Sequence, residues 1–544
     1  MAVGTLDTGA LKNAESRILS DIPETWTKTT LGECFKWGSG GTPKSGNSEY
    51  YGGSIPWLVI GDLNDGVINK SDQTITEQGL ENSSAKLVDE GTLLLAMYGS
   101  IGKLGIAGMK LATNQAIAFA EKNEIETKYI FSFLRYIRPQ LSKLGKGATQ
   151  QNISQTVIKA FPFPLAPLNE QKRIVAKIEE LFSELDNGIA VLKTAREQLK
   201  VYRQAVLKHA FEGKLTAQWR EENADKLESP EQLLERIQQE REARYLQQLK
   251  EWKAAVKEWE DTGKEGKKPG KPKEPPQLDL LKSALPFGWL TVSLNWLLTT
   301  EKKPMTTGPF GTALKKSEHQ SDGIPVLGIE NIGNGKFIPG NKIFVTEKKA
   351  EELTSFKVHP GEIVISRSGT VGEICEVPDK VNNALISTNL LRVSLDNNVI
   401  LSPFFVLMFQ GGEVKLQVKD LCKGSSREFL NQSILSSIKY PVCGLEEQRA
   451  LLEQLDTIFS NIEQQDKEIT VSLEKSETLR QSILKKAFSG QLVPQDPSDE
   501  PASELLARIQ AEKAAEKDAQ KVSAKSKTGA KPGAKRGRRP KVAS

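Results

Sequence analysis

Hydrophobic positions change period along this chain, and the whole change is then repeated. From Pro23 to about Pro167, short β-rich runs at residues 55–60, 92–97 and 116–120 alternate with Gly, Asn and Ser turns, and one helix is predicted near residues 128–144. That pattern describes a mixed α/β globule of ordinary domain size. Pro162, Pro164 and Pro167 then stop any strand. Apolar residues next recur every three or four positions, at Ile174, Ile178, Leu181, Leu185, Leu192, Leu199, Tyr202 and Val206, with Gly188 and Ala195 in the two remaining seam positions. A helix over residues 169–213 would be a rod of roughly 65 Å. The rhythm returns at Leu451, Leu455, Ile458, Ile462, Ile469, Leu479 and Ile483, diluted by Gln465, Ser472 and Ser476. Two matched seams predict that the helices pair with each other, antiparallel, as a spacer between two globules.

The repetition is literal at the helix starts. Leu168-Asn-Glu-Gln-Lys-Arg-Ile174 corresponds to Leu445-Glu-Glu-Gln-Arg-Ala-Leu451, an offset of 277 residues. The same offset relates Leu181-Phe-Ser-Glu-Leu-Asp186 to Ile458-Phe-Ser-Asn-Ile-Glu463 and Ala210-Phe-Glu-Gly-Lys-Leu215 to Ala487-Phe-Ser-Gly-Gln-Leu492. Upstream the offset drifts, from 263 at Trp26 and Trp289 to 269 at Ile55 and Ile324 and 270 at Gly99 and Gly369. Drift implies loop insertions on a shared scaffold, and loops are where function varies. The expected plan is a pseudo-twofold duplication: leader 1–22, first globule 23–167, first spacer helix 168–220, charged helix and linker 221–285, second globule 286–441, second spacer helix 442–495, and a helical echo with a basic tail at 496–544.

Residues 229–260 are dense in Glu, Gln, Lys and Arg with helical spacing of Leu233, Leu234, Ile237, Tyr245 and Leu249, and residues 263–276 have the Pro/Gly/Lys composition of a linker. Glu504-Leu-Leu-Ala-Arg-Ile-Gln510 echoes Gln232-Leu-Leu-Glu-Arg-Ile-Gln238. Beyond the echo the composition is too poor in large apolar residues to fold. The leader has some helical periodicity and no evident partner.

Charge sharpens this picture. The net charge is +5, yet residues 521–544 hold nine Lys and Arg and no acid, which leaves −4 on the rest. The folded body is not globally basic, so a nucleic-acid footprint on it would have to be a local face, and the tail reads either as a solubilising tail or as a basic arm adding sequence-independent attraction to DNA. No apolar run is long enough to span a membrane, and a cytoplasmic location is expected. Cys34, Cys375, Cys422 and Cys443 form no metal-ligand spacing with one another or with His209, His319 and His359, and read as reduced core residues.

The search for catalytic chemistry returns absences. There is no phosphate-binding Gly-x-x-x-x-Gly-Lys-[Ser/Thr] loop, no His-Glu-x-x-His and no Asn-Pro-Pro-aromatic motif of an amino-methyltransferase. Polar glycine loops recur instead at matching places in both globules. The first globule offers Lys36, Ser39, Thr42 and Lys44, then Tyr98, Ser100 and Lys103, then Lys146, Gln150 and Gln151; the second offers Thr306, Phe310, Lys315 and Lys316, then Arg367, Ser368 and Thr370, then Lys423 and Arg427. Glycine lets backbone approach a phosphate, lysine and arginine supply charge, and hydroxyl, amide and guanidinium groups can bond to base edges. Similar spacing with altered side chains suits two globules that read different sequences.

With the junctions Phe163-Pro-Leu-Ala-Pro-Leu-Asn-Glu-Gln-Lys-Arg-Ile174 and Tyr440-Pro-Val-Cys-Gly-Leu-Glu-Glu-Gln-Arg449, the helix ends Ala210-Phe-Glu-Gly213 and Ala487-Phe-Ser-Gly490, and Ser39-Gly-Gly-Thr-Pro43, the chain resembles the specificity subunit of type I restriction-modification enzymes from about Pro23 to Pro494. The resemblance implies a non-catalytic subunit with two target recognition domains, each reading half of a bipartite, asymmetric site in double-stranded DNA, and an antiparallel coiled-coil spacer. It implies as partners two modification subunits that use S-adenosylmethionine and restriction subunits that use ATP and Mg, with no cofactor on this chain. A specificity subunit of a methylation-only or phage-defence complex without a nuclease would have the same sequence features, and a helical scaffold with sugar- or protein-binding globules belongs to a different class. Val442-Cys443-Gly444 replaces the proline-rich Leu165-Ala166-Pro167, which predicts a looser second joint.

Overall fold

The structure is a computed structural model and describes residues 8–145, 152–272, 274–275, 285–300, 303–309, 313–422 and 428–528. It divides into two compact units, residues 1–192 with 471–544 and residues 193–470. Each unit holds one globule, the beginning of the long helix that follows it, and the end of the other long helix.

The two long helices are Leu168–Phe211 and Leu445–Phe488, each 44 residues, and they pack together. The pairing is antiparallel: in the second unit Arg196 donates to the Asp466 carboxylate at 2.9 Å, while Arg203, further along the first helix, lies over Phe459, further back on the second. Burial concentrates at the helix ends. Ile174, Ile178, Leu451 and Leu455 are buried against their own globules, Leu181, Ile458 and Ile462 pack partly buried on the same cores, Leu185, Leu192 and Leu199 are half-buried, and Ile469 is buried. Tyr202 and Leu479 depart from the expected seam, standing 52% and 51% exposed. The polar middle of both helices leaves too little apolar surface to enclose a full 3.5-residue stripe.

In the first unit a five-stranded sheet runs in the order Trp37–Ser39, Ile117–Ala120, Leu93–Ala96, Leu104–Ala107, Val67–Ile68, beside a four-stranded sheet and the helix Thr127–Leu144. In the second unit the corresponding sheet has four strands, Met305–Thr307, Leu390–Val393, Ile363–Ser366 and Ile374–Glu376, again beside a second four-stranded sheet. A two-stranded ribbon roots each globule, Thr27–Thr30 on Pro162–Leu165 and Trp289–Ser293 on Lys439–Cys443.

At this root the repeated motifs meet. Pro23 and Trp26 close a turn, and the Trp26 indole donates to Glu170 at 2.9 Å; Pro286 and Trp289 do the same, with Trp289 donating to Glu447 at 2.7 Å. The neighbouring glutamines bind backbone that would otherwise be buried unpaired. Gln171 donates to the Ala166 carbonyl and accepts from the Glu126 amide, and Gln448 donates to the Cys443 and Val399 carbonyls and accepts from the Leu401 amide. The glycine ending each helix lies in the left-handed region, at φ +71° for Gly213 and +70° for Gly490, and a β-carbon would come within 2.8 Å of Pro286 or 2.3 Å of Pro23. Only glycine satisfies both the backbone and that contact. Phe488 buries between Tyr129 and Phe133 at ring distances of 5.2 and 5.1 Å, and Phe211 sits 5.2 Å from Phe404. Each such ring contributes about 1.5–3 kcal/mol by leaving water. At Val442-Cys443-Gly444 the antiparallel ribbon and the helix start are built as at Leu165-Ala166-Pro167.

The appendages are better integrated than their composition predicts. The leader contains the helix Thr8–Leu19, whose Ala14, Ile18 and Leu19 are buried in the first globule's core. The helix Pro230–Asp261 buries Leu233 and Ile237 on the second globule, and the helix Ala502–Thr528 buries the equivalent Leu505 and Ile509 on the first. One turn on, Arg241 donates to the carbonyls of Trp296 and Leu298 at 2.7 and 3.0 Å, and its counterpart Lys513 donates to those of Gly32, Glu33 and Phe35 at 2.8–3.2 Å. Both cations cap the carbonyl end of a short helix. The C-terminal helix thus extends 18 residues past the echo, into a segment expected to be unfolded, because Ala, Glu, Lys and Gln favour helix even where no core forms. The stretch at 263–272 is also no free linker: the Trp252 indole donates to Pro269 and that of Trp259 to Gly266, folding the segment back along its helix.

Candidate nucleic-acid interface

Strand register brings the predicted loops together at one rim of each globule. In the first, Ser39 faces Ala118 and Ala96 faces Ile117, so the ends of two strands and the start of a third share an edge from which residues 40–47, 97–103 and 113–116 emerge. The Ile153 amide donates to the Met97 carbonyl at 2.9 Å, and Tyr98 bridges to Asn152. In the second, Thr307 faces Leu391 and Ser366 faces Leu390, and the Leu430 amide donates to the Arg367 carbonyl at 2.9 Å. Gly40 and Gly308 are required by close passage, since a β-carbon on either would lie 1.9 Å from the Thr113 or Ser387 carbonyl oxygen.

The central loop has the same backbone in both globules and different side chains. Gly99 and Gly102 take φ +62° and +84°, Gly369 and Gly372 +82° and +85°. The second glycine's amide bonds back to Ala96 at 3.1 Å or Ser366 at 2.9 Å, and the next amide to Ser100 or Thr370, both at 3.1 Å. Upon this shared turn Met97, Tyr98 and Lys103 are replaced by Arg367, Ser368 and Glu373, which changes both charge and hydrogen-bonding capacity.

The open side chains on the first rim are Thr42, Lys44, Tyr98 and Ser100, with Ser39 and Lys103 half-buried beside them. The Thr42 hydroxyl bonds to Gln115, and the Lys103 ammonium lies 3.4 Å from the Gly61 carbonyl. Lys36 is committed elsewhere, paired with Glu121 at 2.7 Å and Glu516 at 3.4 Å, contacts that raise its pKa. On the second rim Lys315, Lys316 and Thr370 are open, and Ser368 donates to Asn389 at 2.7 Å. Two expected contacts are corrected. Thr306 is 8% exposed and accepts from Arg392 at 3.3 Å. Arg367 is 6% exposed, its guanidinium 4.0 Å from the centre of the Phe429 ring and its burial lowering its pKa. Lys146, Gln150, Gln151, Phe310, Lys423 and Arg427 lie outside the described residues.

Gln115, Asn389 and Phe429 were missed as rim residues. The signal for the first two was Thr113-Asn114 and Thr388-Asn389, a dipeptide that precedes the same strand in each copy. Among the described residues no group of three His, Cys, Asp or Glu side chains is placed to hold a metal ion, and no helix is long and apolar enough to cross a membrane. The four cysteines are free and buried, with burial pushing the Cys34 and Cys375 thiols up to about 12, which suits packing rather than chemistry.

Known proteins resemble this chain in sequence and fold. The type I restriction modification DNA specificity domain matches residues 23–200 and 310–473. The type I restriction enzyme EcoBI specificity subunit of Escherichia coli is 23% identical over 407 residues, 74% of each chain, and the MjaVIII specificity subunit of Methanocaldococcus jannaschii is 21% identical over 87% of this chain and 94% of its own. A chain from a structural study of complex assembly and conformational transition in the type I R-M system aligns over 87% of this chain and 99% of its own with a TM-score of 0.59 at 17% identity, a likeness of fold. The domain match spans more than half of the sequence and falls on both globules and both long helices, so the chain belongs to the family of type I restriction-modification DNA specificity subunits.

Proposed function

We propose that the two rims read the two halves of one bipartite, asymmetric site in double-stranded DNA, and that the paired long helices set the gap between them. The observation that carries this reading is the central loop, whose backbone is the same on both rims while Ser368 and Glu373 in one copy stand where the other has Tyr98 and Lys103. A turn held constant presents side chains at a constant height to a groove, and changing the side chains changes the base pattern accepted. Lys44, Lys103, Lys315 and Lys316 would neutralise phosphates and fix position; Thr42, Tyr98, Ser100, Ser368 and Thr370 would meet base edges, with Gln115 and Asn389 orienting two of the hydroxyls.

The chain performs no catalysis in this reading and binds no cofactor. Two modification subunits dock from the helix side, matching the pseudo-twofold of two globule-plus-helix copies, and carry S-adenosylmethionine to methylate adenine; restriction subunits use ATP and Mg to translocate and cut. Mapping methylated adenine in genomic DNA from cells with and without the chain tests the reading. A split motif present only with the chain is expected, and exchange of residues 23–165 for another such globule should change one half of it. An unchanged motif after that exchange contradicts the proposal.

A further inference from the structure

The seam of the long helices is thin at mid-length, since small Gly188 and Ala195 on one and polar Gln465, Ser472 and Ser476 on the other occupy seam positions. Three side-chain rungs supply what the seam lacks. In the second unit the Arg203 guanidinium lies 3.9 Å from the centre of the Phe459 ring. Seven residues earlier on the first helix and seven later on the second, Arg196 donates to the Asp466 carboxylate at 2.9 Å and to the Thr470 hydroxyl. In the first unit Arg480 lies 4.9 Å from the centre of the Phe182 ring and bonds to Asp186. Phe182 precedes Arg196 by fourteen residues and Arg480 follows Asp466 by fourteen, so all three rungs belong to one antiparallel register. The outer two are the same rung twice, because Phe182 and Phe459, like Arg203 and Arg480, are 277 residues apart.

Each outer rung also grips its globule. Arg135, on the helix Thr127–Leu144, sets its guanidinium 5.3 Å from the centre of the same Phe182 ring, which therefore meets one arginine from the globule and one from the other long helix. In the second unit Lys336 bonds to Glu463 at 2.7 Å, and Glu463 is the counterpart of Asp186. The Lys336 contact, helped by Arg203 nearby, holds the Glu463 carboxyl below the usual carboxylate range. One clasp per unit thus joins a globule, its own helix and the opposite helix. The two differ in chemistry: the first globule reaches the ring, the second reaches the carboxylate.

We propose that these clasps, Arg135–Phe182–Arg480–Asp186 and Lys336–Glu463 with Arg203–Phe459, are positioning residues that fix the set of each globule on the helix pair, and so confine recognition to one gap length. The inference rests on the split-site reading above. A helix rises about 1.5 Å per residue and duplex DNA about 3.4 Å per base pair along one strand. Slack of about two residues between the helices would therefore admit a site one base pair longer or shorter. A guanidinium over a ring tolerates little of that displacement, since its attraction is confined to about 6 Å from the ring centre.

The test uses the full chain in complex with its modification subunits, and duplexes whose native gap is one base pair shorter, native, or one base pair longer. Arg203→Met with Arg480→Met keeps side-chain length over each ring and removes the charge. It should lower the preference for the native gap about tenfold, in line with the loss of desolvated cation–π contacts, while base preference within each half-site stays at the wild-type value; Arg203→Lys with Arg480→Lys should recover part of the preference. Lys336→Gln, at a residue 71% exposed and safe for folding, should relax the gap in the same direction by a smaller factor. If an assembled double variant and Lys336→Gln both keep the wild-type gap preference, or lose gap and base preference together, the clasps are not positioning devices. A wild-type complex that shows no split site would instead overturn the function proposed above.

Discussion

The root and the rim of each globule answer to different constraints. At the root the two copies use the same residue types for equivalent bonds: a tryptophan on a buried glutamate, a glutamine on backbone carbonyl and amide groups, a glycine against a proline. At the rim they keep the backbone and replace the side chains. The difference teaches where duplication is held and where it is released. A root must accept both long helices, so a change there disturbs two packing interfaces at once; a rim loop is held through its backbone and glycines and leaves side chains such as Lys44, Tyr98 and Ser100 open.

The roots are alike in geometry and unlike in electrostatics, and this gives the largest expected effect. Glu447 is buried and accepts from Arg220, Thr216 and Trp289, whereas Glu170 accepts from the neutral groups of Trp26 and Gln495. Glu447→Ala would leave Arg220 nearly buried without its carboxylate and should cost about 3–5 kcal/mol. Glu170→Ala should cost about 1–3 kcal/mol, the gap between the two being read by urea denaturation. Equal losses would show that the roots are energetically interchangeable. Next come the cations of the appended helices: Arg241→Ala uncaps buried carbonyls and should lose about 1–3 kcal/mol, whereas Lys513→Ala frees carbonyls that water can reach and should lose about 0.5–1.5 kcal/mol, both measurable as a lowered Tm.

Rim substitutions should leave stability alone. Thr42→Ala and Thr370→Ala are expected to change discrimination at one half-site each, by about 0.5–1.5 kcal/mol, with Tm within error of wild type; a change in the opposite half-site would break the separation of the rims. The smallest effect is one of pH. Glu463 is held below the usual carboxylate range by Lys336, so its contribution is present above the ordinary Glu pKa and is lost as pH falls through the lowered one. With both groups well exposed, Lys336→Gln should reduce stability near neutral pH by no more than about 1 kcal/mol and leave it unchanged in acid, seen as a slightly flatter acid limb in a Tm-against-pH curve.

Much of this architecture was legible in the chain because it is written in periodicity. The duplicated strands, the helix predicted near 128–144, both long helices and their antiparallel pairing all follow from spacing. The junction motifs stood out by repetition, although what each residue bonds to did not: Glu170 finds Trp26 across 144 positions. Distance along the chain also explains the misses. Thr306 and Arg367 have the residue types of open contacts, and it is Arg392 and Phe429, 86 and 62 positions downstream, that close over them. The leader and the C-terminal helix give no sequence signal of their packing for the same reason, since the surface that accepts Ile18 and Ile509 is assembled from the whole first globule.

The central claim, that one frame carries two independent reading rims, is tested most directly by doubling one of them. Residues 286–444 placed where 23–167 stand would join the same helix start, Leu168, through the same ribbon, glutamine and glycine contacts. Methylated-adenine mapping of cells expressing this chain with its modification subunits should then show a symmetric site, with the second globule's half-motif on both sides of a gap. A site that still contained the first globule's half-motif would contradict the account.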